Sequence, residues 1–246
     1  MSDLSGKRAL VTGGSRGIGA AIAQSLAKAG AEVAITYAGS ADKAEAVVKA
    51  IKASGRKGVA IKADSADAAQ IERGVKSAVE ALGGLDILVN NAGIARAGEV
   101  ETISIEDIDA LLAVNVRGVV LASRAAIPHL GKGGRIVSIG SNLAERVPFP
   151  GLTIYSMTKS ALLSFTRGLA RELGPRGITV NMVNPGSTDT DMNPADGEMA
   201  AAQLAHNALG HFGTPDDIAN MVTYLAGPQA KQITGAAFLV DGGFNA

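Results

Sequence analysis

The residues of this chain best suited to chemistry stand together in Tyr155-Ser156-Met157-Thr158-Lys159. They open an apolar run to Leu173 in which Leu162, Thr166 and Leu169 recur at helical spacing. Positions i and i+4 share one face of a helix, so the Tyr155 phenol and the Lys159 ammonium point into the same space. A tyrosine is a poor acid near neutrality: its reference pKa is about 10, and bringing it to about 7 takes roughly 4 kcal/mol. A fixed cation nearby favours the phenolate and supplies much of that difference. The pair thus has the make-up of a proton donor with its tuner. Taken alone, the pentapeptide is better read as a surface tyrosine and a solvated lysine. The rest of the chain reverses that preference.

Composition sets the frame for this chemistry. The chain has 246 residues, 47% of them hydrophobic and 19% charged, enough for one large α/β domain with a sizeable core. Lys plus Arg equals Asp plus Glu at 23 each, and no basic patch marks a nucleic-acid or anionic-membrane partner. The absence of cysteine excludes disulfides and thiolate metal sites. His129, His206 and His211 show no metal-ligand spacing with carboxylates, so no metal is expected. The polar stretch Met1 to Arg8 is not followed by a signal peptide, and no apolar run is expected to reach the length of a membrane span. A cytoplasmic location is the expectation.

Apolar strands alternate with helical stretches. Strands are expected at Arg8–Thr12, Glu32–Tyr37, Gly58–Lys62, Leu85–Val89, Arg135–Ile139, Ile178–Val183 and Ala236–Val240. Between them lie helices at about 17–28, 41–54, 66–82, 104–130 (one or two), 155–173 and 216–225. That alternation predicts a doubly wound, Rossmann-type α/β domain spanning 1–246, with a parallel sheet of about seven strands and helices on both faces. Ligands of such sheets bind beyond the carboxyl ends of the strands. Gly13–Gly19, Asp64, Asn90–Gly93, Ser141 and Pro185–Gly186 all follow directly after strands, so the polar motifs gather at one edge.

Gly13, Gly17 and Gly19 lie between the first strand and the first helix. Glycine there allows a sharp turn and close approach to a pyrophosphate, and the helix N-terminus offers free N–H groups to that anion. The spacing Gly-x-x-x-Gly-x-Gly departs from the common Gly-x-Gly-x-x-Gly fingerprint. The second strand ends in Thr36-Tyr37-Ala38-Gly39-Ser40, without the carboxylate that usually holds the ribose hydroxyls of NAD. Arg16 offers a cation for a 2′-phosphate, and Ser40 and Lys43 could add contacts. NADP(H) is therefore the expected cofactor.

Thr12-Gly13-x-x-x-Gly17-x-Gly19, Asn90-Asn91-Ala92-Gly93, Asn115, Ser141, Tyr155-x-x-x-Lys159 and Pro185-Gly186 occur in this order. From about Gly6 to Val240-Asp241-Gly242-Gly243 the chain resembles the short-chain dehydrogenase/reductase family, and within it the 3-oxoacyl-carrier-protein reductase type. The resemblance implies that Tyr155 gives a proton to a carbonyl oxygen and that Ser141 donates a hydrogen bond to the same oxygen. Lys159 would lower the Tyr155 pKa and hold the nicotinamide ribose. Asn115 would hold a water linking Lys159 to solvent; a helix cap or kink is its structural alternative. Ser15, Ile18, Ala92 and Gly93 join the glycine turn in lining the cofactor site beside Tyr37. Asp64 would meet the adenine amine, Asn91 the adenosine side or a neighbouring strand, and Thr188 and Thr190 the carboxamide and phosphate regions. Ser141 stands fourteen positions before Tyr155 where many relatives have thirteen, which makes Ser138 its rival.

The family uses the segment after Pro185-Gly186 for specificity. Here Ser187 to Phe212 is long and polar, with Met192, Met199, Leu204 and Phe212 as candidate walls for an apolar substrate. Arg146 and Lys132 are isolated cations, and no basic patch announces an acyl-carrier protein. The substrate is expected to be a ketone or an acyl thioester, and the assembly a homotetramer or dimer. Two alternatives remain: a nucleotide-binding regulator on a dehydrogenase fold, and an NAD-dependent alcohol dehydrogenase.

Overall fold

The computed structural model describes residues 3–246; Met1 and Ser2, the start of the polar N-terminal stretch, lie outside the described residues. Seven strands form one sheet in the order β3-β2-β1-β4-β5-β6-β7. They are β1 (Arg8–Val11), β2 (Glu32–Tyr37), β3 (Gly58–Lys62), β4 (Leu85–Asn90), β5 (Leu130–Ile139), β6 (Thr179–Pro185) and β7 (Ala237–Val240). Every pairing is parallel. The doubly wound expectation holds, with strand ends shifted by a few residues.

Alternate strand residues feed two cores, as the pleat requires. Ala9, Val11, Val33, Ile35, Ile87 and Val89 face α1 (Gly17–Lys28), α2 (Ala41–Ala53) and α7 (Pro215–Ala226). Leu10, Ala34, Leu88, Ile136 and Val180 face α3 (Ala68–Leu82), α5 (Val119–Ala126) and α6 (Thr153–Leu173). Burial on both faces is why these strands read as continuous apolar runs. Helix boundaries follow local chemistry. Asp67 caps α3, its Oδ1 accepting from the Ala69 and Gln70 amides at 2.9 and 3.0 Å, and Gly83 ends it in the left-handed region at φ 76°.

One helical path runs from Ile105 to His129: α4 (Ile105–Leu112), a π-helical turn (Ala113–Gly118), α5 and a short 3₁₀ turn. Contrary to the sequence expectation, this path is long and apolar enough to cross a membrane, with a mean hydropathy of 1.6. Asn115 and Arg117 interrupt the apolar run, and a helix-length window tolerates such interruptions. In the fold it is packed rather than bare: Leu111, Val119, Ala122 and Ala126 are buried, and α5 lies against α3.

All seven carboxyl ends point to one edge. Strand order reverses at β1, whose neighbours are β2 and β4, and a crevice opens above that reversal.

Candidate active site

Helix α6 starts at Thr153, two residues before the predicted start. Lys159 lies inside the protein with its Nζ donating to the Ile139 carbonyl at 3.1 Å, where β5 ends. The same Nζ is 5.8 Å from the centre of the Tyr155 ring, so the two side chains share a helix face as their spacing predicts. The electrostatics differ from expectation. Burial pushes the Tyr155 phenol up, and its hydrogen bond with Ser141 offsets only part of this. Burial pushes Lys159 down to about 8. Each group is desolvated, and desolvation disfavours charge on both. Burial is the largest influence on both groups, so the spacing of Lys159 from the phenol does not by itself set the phenol's acidity.

Ser141 stands just beyond β5, where its Oγ accepts from the Leu143 amide at 3.1 Å. Gly140 makes this exit possible, because a Cβ there would collide with Met182 Cε and Asn184 Oδ1. The rival Ser138 is fully buried in β5 and takes the Asn90 amide at 3.4 Å. Ser141, and not Ser138, meets Tyr155. Ser160 Oγ holds the Ala144 carbonyl at 2.5 Å, which fixes the segment after Ser141 to α6.

Asn115 sits in the π turn, fully buried. Its Oδ1 accepts from the Ile94 amide at 2.9 Å, and its Nδ2 donates to the Ile94 carbonyl at 2.9 Å and Thr158 Oγ1 at 3.2 Å. Both amide protons are thus engaged by protein. The side chain joins the loop after β4 to α6, and the helix is distorted at this residue. π turns recur at functional positions, and a Cβ at Gly93 would lie 3.4 Å from both Asn115 Oδ1 and Lys159 Nζ.

Gly13 is left-handed at φ 64°, and a Cβ there would come 2.8 Å from Ala92 Cα, so the turn after β1 and the loop after β4 touch. Asn91 Nδ2 ties them by donating to the Thr12 and Gly13 carbonyls at 2.9 and 3.0 Å. Of the two roles open to Asn91, the structural one accounts for its amide. Helix α1 carries no side-chain cap and no acidic residue in its first turn. Its leading N–H groups remain for an anion.

A cleft of about 700 Å³ runs along this edge. Its walls include Gly13, Ser15, Arg16, Gly17, Ile18, Gly19, Tyr37, Ser40, Asp64, Asn91, Ala92, Gly93, Ser141, Tyr155, Lys159, Pro185, Gly186, Thr188 and Thr190. Asn115 lies behind the wall rather than on it. Asp64 is exposed, with Oδ1 accepting from the Ala66 amide at 2.9 Å. Thr188 Oγ1 donates to the Gly186 carbonyl at 3.1 Å, and Thr190 Oγ1 accepts from the Asn193 amide at 3.2 Å.

Sequence reasoning missed two features. Asp191 Oδ2 lies 2.5 Å from Lys43 Nζ and 3.7 Å from Arg16 Nη1, and Lys43 holds its carboxyl below the usual range. An acidic residue of the segment after β6 thus shares both cations assigned to a 2′-phosphate. At the other end, Phe149, Leu152 and Phe244 line the cleft with Met192 and Met199, while Leu204 and Phe212 are not part of its wall.

The comparisons with known proteins agree with this architecture. The family model described as enoyl-(acyl carrier protein) reductase matches residues 13–245. A crystal structure of a short chain dehydrogenase from Burkholderia cenocepacia in complex with NADP superimposes with a TM-score of 0.98, at 59% identity over 99% of each chain. The cyclic-di-GMP-binding biofilm dispersal mediator protein of Escherichia coli is 44% identical over the whole of both chains. A 3-oxoacyl-[acyl-carrier-protein] reductase of Staphylococcus aureus is 43% identical over 96% of this chain and 97% of its own. The chain belongs to the short-chain dehydrogenase/reductase family of oxidoreductases.

Proposed function

We propose that the protein is a cytoplasmic, NADPH-dependent carbonyl reductase acting as a single domain over residues 1–246. The observation that carries this is the meeting of Ser141, Tyr155 and Lys159 on one cleft with an uncapped helix N-terminus and a glycine turn. The residues present fit NADP(H): the left-handed Gly13 lets backbone approach closely, and α1 offers N–H groups to a pyrophosphate. Arg16 and Lys43 would hold the 2′-phosphate, Asp64 the adenine amine, and Lys159 the nicotinamide ribose. The bound cofactor supplies hydride to the carbonyl carbon. Ser141 donates a hydrogen bond to the carbonyl oxygen, where negative charge develops. Tyr155 gives its proton to that oxygen. A phenol raised by burial suits this step, because an alkoxide is a far stronger base than a phenolate. Lys159 follows as the carrier of the replacement proton, with Asn115 fixing the geometry of its surroundings.

The related carrier-protein reductase makes a 3-oxoacyl thioester one candidate substrate; other ketones are the second. A nucleotide-binding regulator is the competing reading, favoured by the relative named for cyclic-di-GMP binding. Mixing the protein with NADPH and a panel of ketones while following cofactor absorbance separates the two. Turnover is expected; silence across the panel with NADPH still bound supports the regulator.

We further propose a homotetramer. Ile105, Leu112, Val120 and Met157 are exposed apolar residues on the outer faces of α4, α5 and α6, which suits burial against a second copy. Light scattering is expected to give four copies; a monomer at micromolar concentration contradicts it.

A further inference from the structure

We infer that the substrate is an uncharged ketone carrying a bulky apolar, aromatic-sized group, seated against Phe149, Leu152 and the two cleft methionines, with the buried Phe244 behind them. This rests on the reductase reading and adds the substrate class. The chain has five phenylalanines and three tyrosines. Four of these eight, Tyr37, Phe149, Tyr155 and Phe244, border the cleft; Tyr37 stands at the cofactor end, Phe149 is half-buried, and Phe244, 2% exposed, backs it from within the fold. Phe149 and Phe244 pack edge to face with centroids 6.4 Å apart, and His206 lies 5.4 and 5.2 Å from them. The group is held in place from the carboxy-terminal side. Asp241 accepts from the Gly243 and Asn245 amides, Asn245 Nδ2 donates to the Asn142 carbonyl at 2.8 Å, and Arg146 Nη1 donates to the Phe244 carbonyl at 2.7 Å. Met192 and Met199, about half exposed, line the same cleft, flexible side chains that adapt to varied apolar shapes.

Charged side chains lie behind this end and not in its wall: Arg146 and Asp241 hold the Phe244 segment, and neither lines the cleft. The charged side chains lining the cleft are Arg16, Asp64, Asp191 and Lys159. Arg16, Asp64 and Asp191 belong to the cofactor end, and Lys159 is buried beneath Tyr155. The polar pair Asn193 and Gln203 exchange hydrogen bonds with each other at 3.0 and 2.8 Å, so an apolar ligand strips no partner from them. A carboxylate on the substrate would be desolvated without a counter-ion. The mouth gives little to an acidic carrier protein. Arg146 is tied to Phe244, Arg96 to Asp107 at 3.0 Å, and Lys132 stands near the start of β5, at the far edge of the sheet.

The test uses the full chain with saturating NADPH and four probes: phenylacetone, phenylpyruvate, butan-2-one and the N-acetylcysteamine thioester of 3-oxobutanoate. Phenylacetone and phenylpyruvate differ by the carboxylate, and butan-2-one lacks the ring. For phenylacetone, kcat/KM is expected to exceed phenylpyruvate about a hundredfold or more and butan-2-one about tenfold or more. Phe149→Leu, on a half-buried residue, is expected to cut the preference for phenylacetone over butan-2-one about tenfold. Met199→Ala, on an exposed side chain of the cleft wall, repeats the test should Phe149→Leu disturb folding. Faster turnover of phenylpyruvate or the thioester, or equal turnover of phenylacetone and butan-2-one, overturns this inference and leaves the reductase reading standing. Silence on all four probes with NADPH bound overturns both.

Discussion

The cation pair at the 2′-phosphate end allows two substitutions with opposite expected effects. In the free protein, Asp191 shares Lys43 and Arg16, so a 2′-phosphate must draw these cations from a carboxylate. Arg16→Ala removes one of them. A hydrogen bond to a charged group contributes about 1.5–3 kcal/mol, but the Arg16 side chain is 54% exposed, and solvent screening reduces this to about 1–1.5 kcal/mol. NADPH binding is thus expected to weaken about tenfold, with NADH little changed. Asp191→Asn removes the competitor. Exposed ion pairs are worth about 0.2–1 kcal/mol, so NADPH is expected to bind up to about fivefold more tightly, again with NADH unaffected. Titration of cofactor fluorescence on both variants gives the four dissociation constants. Equal losses for both cofactors in Arg16→Ala would show that the arginine does not meet the 2′-phosphate. Weaker NADPH binding by Asp191→Asn would show that the carboxylate supports the cofactor instead of competing with it.

Two further outcomes follow from buried groups. Lys159 carries its proton below about 8 and loses it above, while the raised Tyr155 stays protonated across that range. Since kcat/KM reports groups of the free enzyme, its value for ketone reduction is expected to fall through about pH 8; a flat profile from about pH 6 to 10 contradicts this. Asn115→Ala leaves the Ile94 N–H and carbonyl without their partner inside the protein. At about 1–3 kcal/mol for each buried unsatisfied group, urea unfolding is expected to show a loss of about 2–6 kcal/mol. Lost turnover with unchanged stability would mean that Asn115 serves catalysis alone.

Much of the fold was legible because a parallel sheet covered on both faces writes itself as short apolar runs between helices. The carboxyl-edge rule then gathered the glycine turn, Asp64, Ser141 and Pro185–Gly186, which all line one cleft. The same rule applied to Val240 would have pointed to Asp241–Ala246, yet Phe244 was missed because the strand-end residues Asp241-Gly242-Gly243 look like a mere turn. Asp191 was hidden for another reason: it lies within a long polar segment, and its pairing with Lys43 across the cleft has no sequence signal. Asn91 and Asn115 were seen as polar residues in demanding places, but side-chain partners 78 and 21 positions away decide their roles. The acidity of Tyr155 is not legible from i,i+4 spacing, which gives only a shared direction, whereas burial, the largest influence on both groups, depends on the whole fold.

Tyr155→Phe tests the proton-donor assignment most directly. The variant keeps the ring and removes the one atom that gives the proton. With phenylacetone and NADPH, turnover is expected to fall about 10²–10⁴-fold, the usual contribution of a general acid, while the NADPH dissociation constant stays within about twofold. A variant that retains turnover within about tenfold of the parent would contradict Tyr155 as the acid.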